Sequence, residues 1–548
     1  MRVFWAILGL NIPVILLYAP FLNNPLVFDD ANFFYSENFN LYLYSLFSFD
    51  LRWLPFASFV WTRQLLGDGI IWLRLGNLLL HLITVTTLFF FLRRLFEIVI
   101  PVSDDDKTLS PFWLAFFGAL LFALHPVAVY ATGYLIQRTT LMATLFTLLT
   151  WRLFLEGLIR EQRRWLTASA LAYFLAVLSK EHAIMAPALT LALLFLVSSQ
   201  PLSRIKFIGS TLVLYTLIGT FVVIQRQSEH ILGQIYEPYS AALLASLSKE
   251  FDPRLAYPLS ILTQSFTFFK YLWVWLVPSP ALMSIDNCQT FALRLWSLPE
   301  ILGLVGFIIY AIVAVRLLLQ RGLTGLLGFA LLCPLLLFFT ELATVRLQEI
   351  FVLYRSYLWM VGLFAGLPFV CQRLTAKQAV IILSGIALLM MPLTWVRLTT
   401  FSHPLLLWDD AARRIDNDNT CPMMIRILNN RGSELIALDR YSESIDDFNR
   451  IIKAANSQQK TPVVYAATYY NRGVAYLKTQ QFQLALDDFN RIKEPPAQKA
   501  WRGYYYHKAQ ALEGLHDLTQ VRELYEKSCL NGMTKSCDRL KELEETVK

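Results

Sequence analysis

The feature that most constrains this chain is a series of apolar runs in its first 400 residues. Each run is close to the roughly 17 to 25 residues that cross a bilayer as a helix. Only 16% of the 548 residues are charged, whereas soluble proteins contain about a quarter. These properties exclude a soluble globular protein, a disordered chain, a collagen-like fibre and a disulfide scaffold. The sequence therefore predicts an all-α, polytopic membrane protein.

Eleven apolar runs are predicted to span the membrane. They cover residues 3–22, 70–92, 112–127, 139–157, 165–180, 183–198, 206–225, 297–319, 323–340, 356–371 and 378–396. A further run, 259–277, contains Gln264 and Lys270 and is interpreted as a helix on the outer face, with a crossing as the alternative. Together these spans form a membrane domain over residues 1–400.

The basic residues set the orientation of these spans. Lysine and arginine concentrate in alternate connections, and the positive-inside rule makes that side cytoplasmic. The N-terminus is then inside, and the loops 23–69 and 226–296 and everything after residue 397 are expected outside. The net charge of +8 follows from these short basic clusters, so a nucleic-acid partner is not expected.

The polar segment 401–548 contains an internal repeat. Asn430-Arg431-Gly432 returns as Asn471-Arg472-Gly473, and Asp446-Asp447-Phe448 returns as Asp487-Asp488-Phe489, each 41 residues later, with a looser third copy at 504–529. Two helical segments per unit resemble the tetratricopeptide repeat, with an insertion at 457–462. The segment is therefore predicted to form a small α-solenoid, which serves equally well as a packing unit or as a docking platform.

The last two cysteines are separated by seven residues, a spacing that resembles cysteine-bearing helical repeats of the Sel1-like type. In an oxidising compartment Cys529 and Cys537 are expected to form a disulfide. Cys333 and Cys371 lie in apolar runs and are expected to be buried thiols.

Ionisable residues at the ends of the apolar runs form the candidate site. Asp29 and Asp30 follow the first run among aromatic residues, a setting that raises a carboxyl pKa or holds a cation and suits a general base. Asp30 is preferred because it lies farther from the span. Six more residues fall on the same predicted face: Arg52, His125, Arg138, Lys180, Glu181 and Arg355. Each alone is as readily a snorkelling side chain or a helix cap, but together they predict one site for a lipid phosphate and an acceptor.

The order of these motifs resembles the GT-C glycosyltransferases. The motifs are Asp29-Asp30, Arg52-Trp53-Leu54-Pro55, Asn77 to His81, Leu121 to Pro126, Ser179-Lys180-Glu181 and Tyr354-Arg355-Ser356-Tyr357. Within that superfamily the chain is most similar to the transmembrane and tetratricopeptide repeat-containing O-mannosyltransferases and their bacterial relatives. Those proteins also carry a segment like Trp408-Asp409-Asp410-Ala411 before their repeats. The chain departs from the family after its His-Pro motif, where Val129-Tyr130 replaces the usual Glu.

The resemblance implies a sugar donor on a polyprenyl phosphate, with Asp29 and Asp30 as the catalytic base and its neighbour. The six other site residues would hold the donor phosphate. No cofactor is certain, and Mg²⁺ or Mn²⁺ is left open with Asp30 as the candidate ligand. The acceptor is a protein or an envelope glycan, docked on the repeats. The resemblance places the protein in a bacterial inner membrane, with its repeats in the periplasm.

Two other functions compete with this one. A non-enzymatic membrane scaffold would recruit envelope partners through the repeats and use the charges for assembly. A transporter or lipid flippase is disfavoured, because the charges crowd one face and not the midplane. The sequence contains no Gly-rich phosphate loop, which agrees with an enzyme whose leaving group is a lipid phosphate.

Overall fold

The computed structural model describes residues 1–35, 39, 41–44, 50–101, 108–235, 237, 240, 244, 251–415, 423–457, 466–492 and 503–546. Within these ranges the regular secondary structure is entirely helical, which confirms the predicted all-α class. The chain divides into two compact units. The first comprises Met1–Ser240, Phe251–Asn287 and Phe291–Leu407, and the second comprises Ala241–Glu250, Cys288–Thr290 and Trp408–Lys548.

The first unit is a bundle of apolar helices. In chain order its main helices are α1 (Arg2–Tyr18), α2 (Asp29–Phe34), α3 (Trp53–Leu66), α4 (Ile70–Val99), α5 (Pro111–Ala123), α6 (Arg138–Arg160), α7 (Arg163–Ser179), α8 (Ala186–Val197), α9 (Pro201–Ser228), α10 (Ala256–Leu276), α11 (Glu300–Leu319), α12 (Gly322–Leu342), α13 (Leu353–Met360) and α14 (Ala376–Thr400). Short helical turns connect several of them.

Among the described residues, eight helical segments are long and apolar enough to cross a bilayer, or nine if the bent pair Pro111–Ala123 and Pro126–Thr132 is one span. This chain is therefore a membrane-associated protein. Each of the eleven predicted runs is helical, but α7 and α8 are shorter, at 17 and 12 residues. The count of eleven spans thus stays a prediction.

The run 259–277, which the sequence left ambiguous, forms helix α10 and lies outside the eight apolar segments. Its polar side chains point into the protein. Gln264 donates a 3.0 Å hydrogen bond to the carbonyl of Ile350, and Ser260 donates to that of Thr344. These bonds satisfy polar groups that a lipid-facing helix would leave without partners.

Glycine permits the closest helix contacts in this unit. A Cβ on Gly303 of α11 would lie 2.5 Å from the Cα of Phe266 in α10, and one on Gly362 would collide with the thiol of Cys333 in α12. Small residues at such crossings allow the backbone of one apolar helix to approach its neighbour closely. Cys333 is accordingly buried, as its place in an apolar run predicted, and Cys371 is a buried thiol as well.

The second unit consists of helices α15 (Met424–Ala437), α16 (Tyr441–Ser457), α17 (Ala466–Lys478), α18 (Phe482–Asn490), α19 (Gly503–Gly514), α20 (Val521–Leu530) and α21 (Thr534–Thr546). The sequence repeat is also a structural repeat. Gly432 packs beneath Phe448 as Gly473 packs beneath Phe489. Its assignment as a tetratricopeptide solenoid stays a prediction, and the predicted insertion lies, from residue 458 onward, outside the described residues.

Two side-chain features hold this unit together. Arg431 donates from Nε to Asp447 at 2.7 Å, and Arg472 donates to Asp488 at the same distance, so each repeat has an equivalent ion pair. Cys529 of α20 and Cys537 of α21 form a disulfide with Cα atoms 4.9 Å apart, which is the pair singled out from the sequence.

Candidate functional site

The two adjacent aspartates of α2 have different surroundings. Asp30 is completely buried and accepts backbone hydrogen bonds from Ile136 at 3.0 Å and from Val27 at 3.3 Å. Burial raises the pKa of Asp30 to about 7, against the opposing charge of Arg74. Asp30 therefore joins the turn before α2 to the segment before α6.

Asp29 is only partly buried and lines a polar cavity of about 210 Å³. The hydroxyl of Tyr134 donates a 3.0 Å hydrogen bond to its Oδ2 atom. The left-handed backbone at Phe28, with φ of 53°, turns the chain into α2 just before the pair. The oxygens of Asp30 accept backbone amide hydrogens while Asp29 lines the cavity, so this geometry favours Asp29 as the base, and the preference for Asp30 stays an untested prediction.

The cavity brings together charged and polar side chains from six parts of the first unit. Its lining is Asp29, Arg52, Phe56, Ile136, Gln137, Thr139, Lys180, His182, Glu237, Gln348, Glu349, Tyr354 and Arg355. Four of the predicted site residues thus share one cavity, namely Asp29, Arg52, Lys180 and Arg355. Three cations and three carboxylates, Asp29, Glu237 and Glu349, share this small surface, so it can bind an anion beside a general base.

Lys180 follows the last residue of α7 and is 95% buried, with 5% of its surface exposed. Its ammonium donates to Gln137 Oε1 at 3.0 Å and to Thr140 Oγ1 at 2.7 Å, and lies 5.3 Å from the centre of the Tyr354 ring. Among the described residues no carboxylate oxygen lies within the 4.0 Å of an ion pair with it. Neutral groups thus hold the buried amine of Lys180 in place at the cavity wall.

Arg52 and Glu181 form a two-pronged ion pair at the edge of the cavity. The Nε atom of Arg52 donates to Glu181 Oε2 at 3.0 Å, and a second nitrogen bonds the other oxygen. Arg226 approaches the same carboxylate to 3.2 Å. Glu181 was predicted to act with the phosphate ligands. That role stays a prediction, and the ion pairs show that Glu181 orients two arginines.

Arg355 belongs to a buried charge network. It donates to Glu341 Oε2 at 2.8 Å and also pairs with Glu349. Glu341 in turn forms a hydrogen bond with His182 Nε2 at 2.9 Å and an ion pair with Arg346 at 3.1 Å. Arg355 therefore lines the cavity with its charge already balanced, unlike Lys180.

Sequence inspection missed most of this network. Glu341, Arg346 and Glu349 fall within nine residues just after the apolar run 323–340, and such a sudden group of charges at a span end was an available signal. Glu237 had no such signal. It accepts hydrogen bonds from the backbone of Leu347 and Gln348, which are more than 100 residues away in sequence.

Two predicted phosphate ligands, His125 and Arg138, do not line the polar cavity and lie in other contacts, so their role at a phosphate stays a prediction. His125 stacks on Trp275 with ring centres 4.3 Å apart, and its Nε2 lies 3.2 Å from the Trp275 carbonyl. Arg138 donates to Asn77 at 2.8 Å and to the Leu73 carbonyl at 2.6 Å. Both side chains are buried and serve packing, because every one of these contacts joins separate helices or turns of the bundle.

An apolar groove of about 440 Å³ adjoins the polar cavity, because Arg52 and His182 line both. The remaining walls come largely from α9 and α12 and the segments after them. They are Leu51, Glu181, Ile184, Met185, Val222, Val223, Arg226, Ile231, Leu232, Phe339, Thr340, Ala343, Thr344 and Arg346. The arrangement can hold a molecule with one charged and one long apolar part.

The proposed metal ligand does not fit a divalent cation. Magnesium and manganese prefer several carboxylate or water oxygens. The oxygens of Asp30 accept backbone amide hydrogens, and no group of three histidine, cysteine or acidic side chains converges in the described part of the chain. No step below therefore involves a metal.

No protein-family model matches this chain, and no curated protein matches it either. The function proposed below therefore depends on the cavity, the groove and the motifs described above.

Proposed function

We propose that this protein is an integral-membrane glycosyltransferase of the GT-C type, which transfers a sugar from a polyprenyl phosphate to a hydroxyl acceptor. One observation carries the proposal, namely that the polar cavity with Asp29 and Lys180 and the apolar groove share Arg52 and His182 as lining residues. A lipid-linked sugar has a sugar, one charged phosphate and a long apolar chain in that order. The cavity and groove offer matching surfaces in the same order.

Asp29 acts as the general base. Its carboxylate takes the proton of the acceptor hydroxyl as that oxygen attacks the anomeric carbon of the sugar. The bond from the anomeric carbon to the phosphate oxygen breaks, its electron pair stays on that oxygen, and polyprenyl phosphate departs. The attack occurs opposite the leaving group, so the configuration at the anomeric carbon inverts.

Lys180 and the two arginines have different roles at the donor phosphate. Lys180 supplies the positive charge, since its own partners Gln137 and Thr140 are neutral. Arg52 and Arg355 supply directed N–H donors, held by Glu181 and Glu341. Fixed donors of this kind stabilise charge as it develops on a departing phosphate, at no cost of reorganisation.

The site faces outward in this proposal, and eleven spans place the C-terminal repeats on the same side, in the periplasm of a bacterial inner membrane. In this proposal the repeats bind the protein or glycan acceptor. A reporter enzyme fused to the C-terminus that is active only outside the cytoplasm tests this orientation.

A substitution that fills the apolar groove tests the proposal, because the groove is the feature that would hold the lipid chain. Ala343→Trp should fill the groove and weaken the binding of polyprenyl-phosphate sugars to the purified protein in detergent. Leu217→Trp is the matched control, because Leu217 is 61% exposed on α9 and does not line the groove. Binding that survives Ala343→Trp unchanged would contradict the proposal. A wild-type protein that binds no lipid-linked sugar would support the membrane scaffold instead.

A further inference from the structure

A cluster of arginines lies at the other end of helix α6 from the candidate site. The helix begins at Arg138, next to cavity residues Gln137 and Thr139, and ends at Arg160. Its 23 residues span about 34 Å. The cluster, called here the Glu156 cluster, consists of Glu156, Arg93, Arg94, Arg152 and Arg160. Because of this distance, it cannot share a ligand headgroup with the cavity.

Three arginines of the Glu156 cluster share one carboxylate. Arg160 Nε lies 2.8 Å from Glu156 Oε2, while Arg94 Nε lies 3.2 Å and Arg152 Nη2 lies 3.8 Å from Oε1. Only 8% of the Glu156 side chain is exposed. The carboxylate is thus a buried centre that gathers guanidinium groups from α4 and α6.

The charges in this cluster do not balance. Arg93 has its own partner, Glu97, at 2.7 Å, so four arginines face two carboxylates and leave two positive charges among the described residues. The side chains of Arg93, Arg94 and Arg152 are about 30% exposed and that of Arg160 is 52% exposed. The excess charge is therefore within reach of a ligand.

Aromatic side chains surround the cluster, as is typical of the lipid headgroup region. The guanidinium of Arg93 lies 5.5 Å from the Phe112 ring, which touches Trp113, and that of Arg160 lies 5.6 Å from the Trp165 ring. Trp113 is 46% exposed in the first turn of α5. Tryptophan side chains concentrate at the boundary between acyl chains and headgroups, where arginines meet lipid phosphates.

We propose that the Glu156 cluster binds the phosphate of an anionic phospholipid, with the acyl chains against the apolar surface around Trp113 and Ile159. The charge excess among the described residues favours an anion, and exposed apolar side chains such as Trp113 and Ile159 favour a lipid over a soluble phosphate. This inference is independent of the glycosyltransferase proposal.

Native mass spectrometry of the purified protein with phosphatidylglycerol and phosphatidylcholine tests this site. The wild type should retain phosphatidylglycerol in clear preference. Arg93→Gln combined with Arg160→Gln leaves Arg94 and Arg152 on Glu156, so the fold should persist, and it should weaken phosphatidylglycerol retention about tenfold or more. Arg63→Gln combined with Arg440→Gln removes the same charge from two exposed ion pairs elsewhere and should leave retention unchanged.

Three results of the retention experiment would overturn the inference, and displacement by inorganic phosphate would be a fourth. The first three are equal retention of both lipids by the wild type, equal loss in the Arg63 and Arg440 control, and undiminished phosphatidylglycerol binding in the Arg93 and Arg160 variant. A competition arm separates the two sources of phosphate. Inorganic phosphate at millimolar concentration should not displace the lipid, and displacement would show a soluble-anion site in place of a lipid site.

Discussion

The hydroxyl of Tyr134 donates a 3.0 Å hydrogen bond to Oδ2 of Asp29. The backbone N–H of Asp29 also donates to that hydroxyl, at 3.3 Å, so the two residues are joined twice. Tyr134 is fully buried just before the segment that leads into α6, and it therefore holds the carboxylate in one orientation at the cavity wall.

Loss of the Tyr134 hydroxyl should lower the rate of sugar transfer more than it weakens the binding of the donor. Tyr134→Phe keeps the ring but removes the donor, so we expect kcat to fall about tenfold while the KM for the donor changes little. Steady-state kinetics in reconstituted membranes measure both constants. A rise in KM with unchanged kcat would show that Tyr134 serves donor binding instead.

Lys180→Gln should weaken donor binding. Removing a buried charge that faces the phosphate should cost about 1.5 to 3 kcal/mol of binding free energy, or roughly a 10- to 150-fold rise in Kd. Titration with a polyprenyl-phosphate sugar measures it. Lys270→Gln is the control, since Lys270 lies over the Phe266 ring and does not line the cavity. Equal effects of both substitutions would argue against a specific role for Lys180.

The stability of the protein should depend on pH through Asp30. Because burial raises the pKa of Asp30 from 3.8 to about 7, the folded state keeps a proton that the unfolded chain has released. Its contribution to the free energy of unfolding is complete below about pH 4 and is lost as the pH rises to about 7. Asp30→Asn removes this dependence. Thermal unfolding from pH 4.5 to 7.5 should therefore have a shallower slope in the variant than in the wild type, whereas identical slopes would contradict the assignment.

Arg138 should contribute to the stability of the folded protein and not to the affinity for the sugar donor. Arg138→Met leaves Asn77 and the Leu73 carbonyl without their donor, which should cost about 1.5 to 3 kcal/mol of unfolding free energy. Donor affinity of the folded protein should stay within about twofold. Thermal unfolding and titration on the same preparation separate the two effects, and a large loss of affinity at unchanged stability would restore Arg138 to the phosphate site.

Most of the helices were predictable because most of the apolar runs are long enough to fold as one helix in lipid. The run 70–92, for example, lies within Ile70–Val99. The repeat was predictable because Gly432 and Gly473 serve the same close contact with a phenylalanine. In both cases the determining interactions are local or recur at a fixed spacing.

The site was only partly predictable, because its details depend on residues distant in sequence. Neighbours on a helix point about 100° apart, so the backbone amide of Ile136 decides which aspartate faces the cavity. The same holds for His125, whose partner is Trp275. Nothing within a few residues of either position indicates these partners.

The measurement that tests the central claim most directly is sugar transfer by Asp29→Asn and Asp30→Asn side by side, in reconstituted membranes with a polyprenyl-phosphate sugar and acceptor. Asp29→Asn should lower turnover by roughly 100-fold or more with donor binding retained, because a base is needed only in the transition state. Asp30→Asn should keep turnover once corrected for the folded fraction, as should the exposed control Asp68→Asn. Full transfer activity in Asp29→Asn would contradict the account and place the base elsewhere.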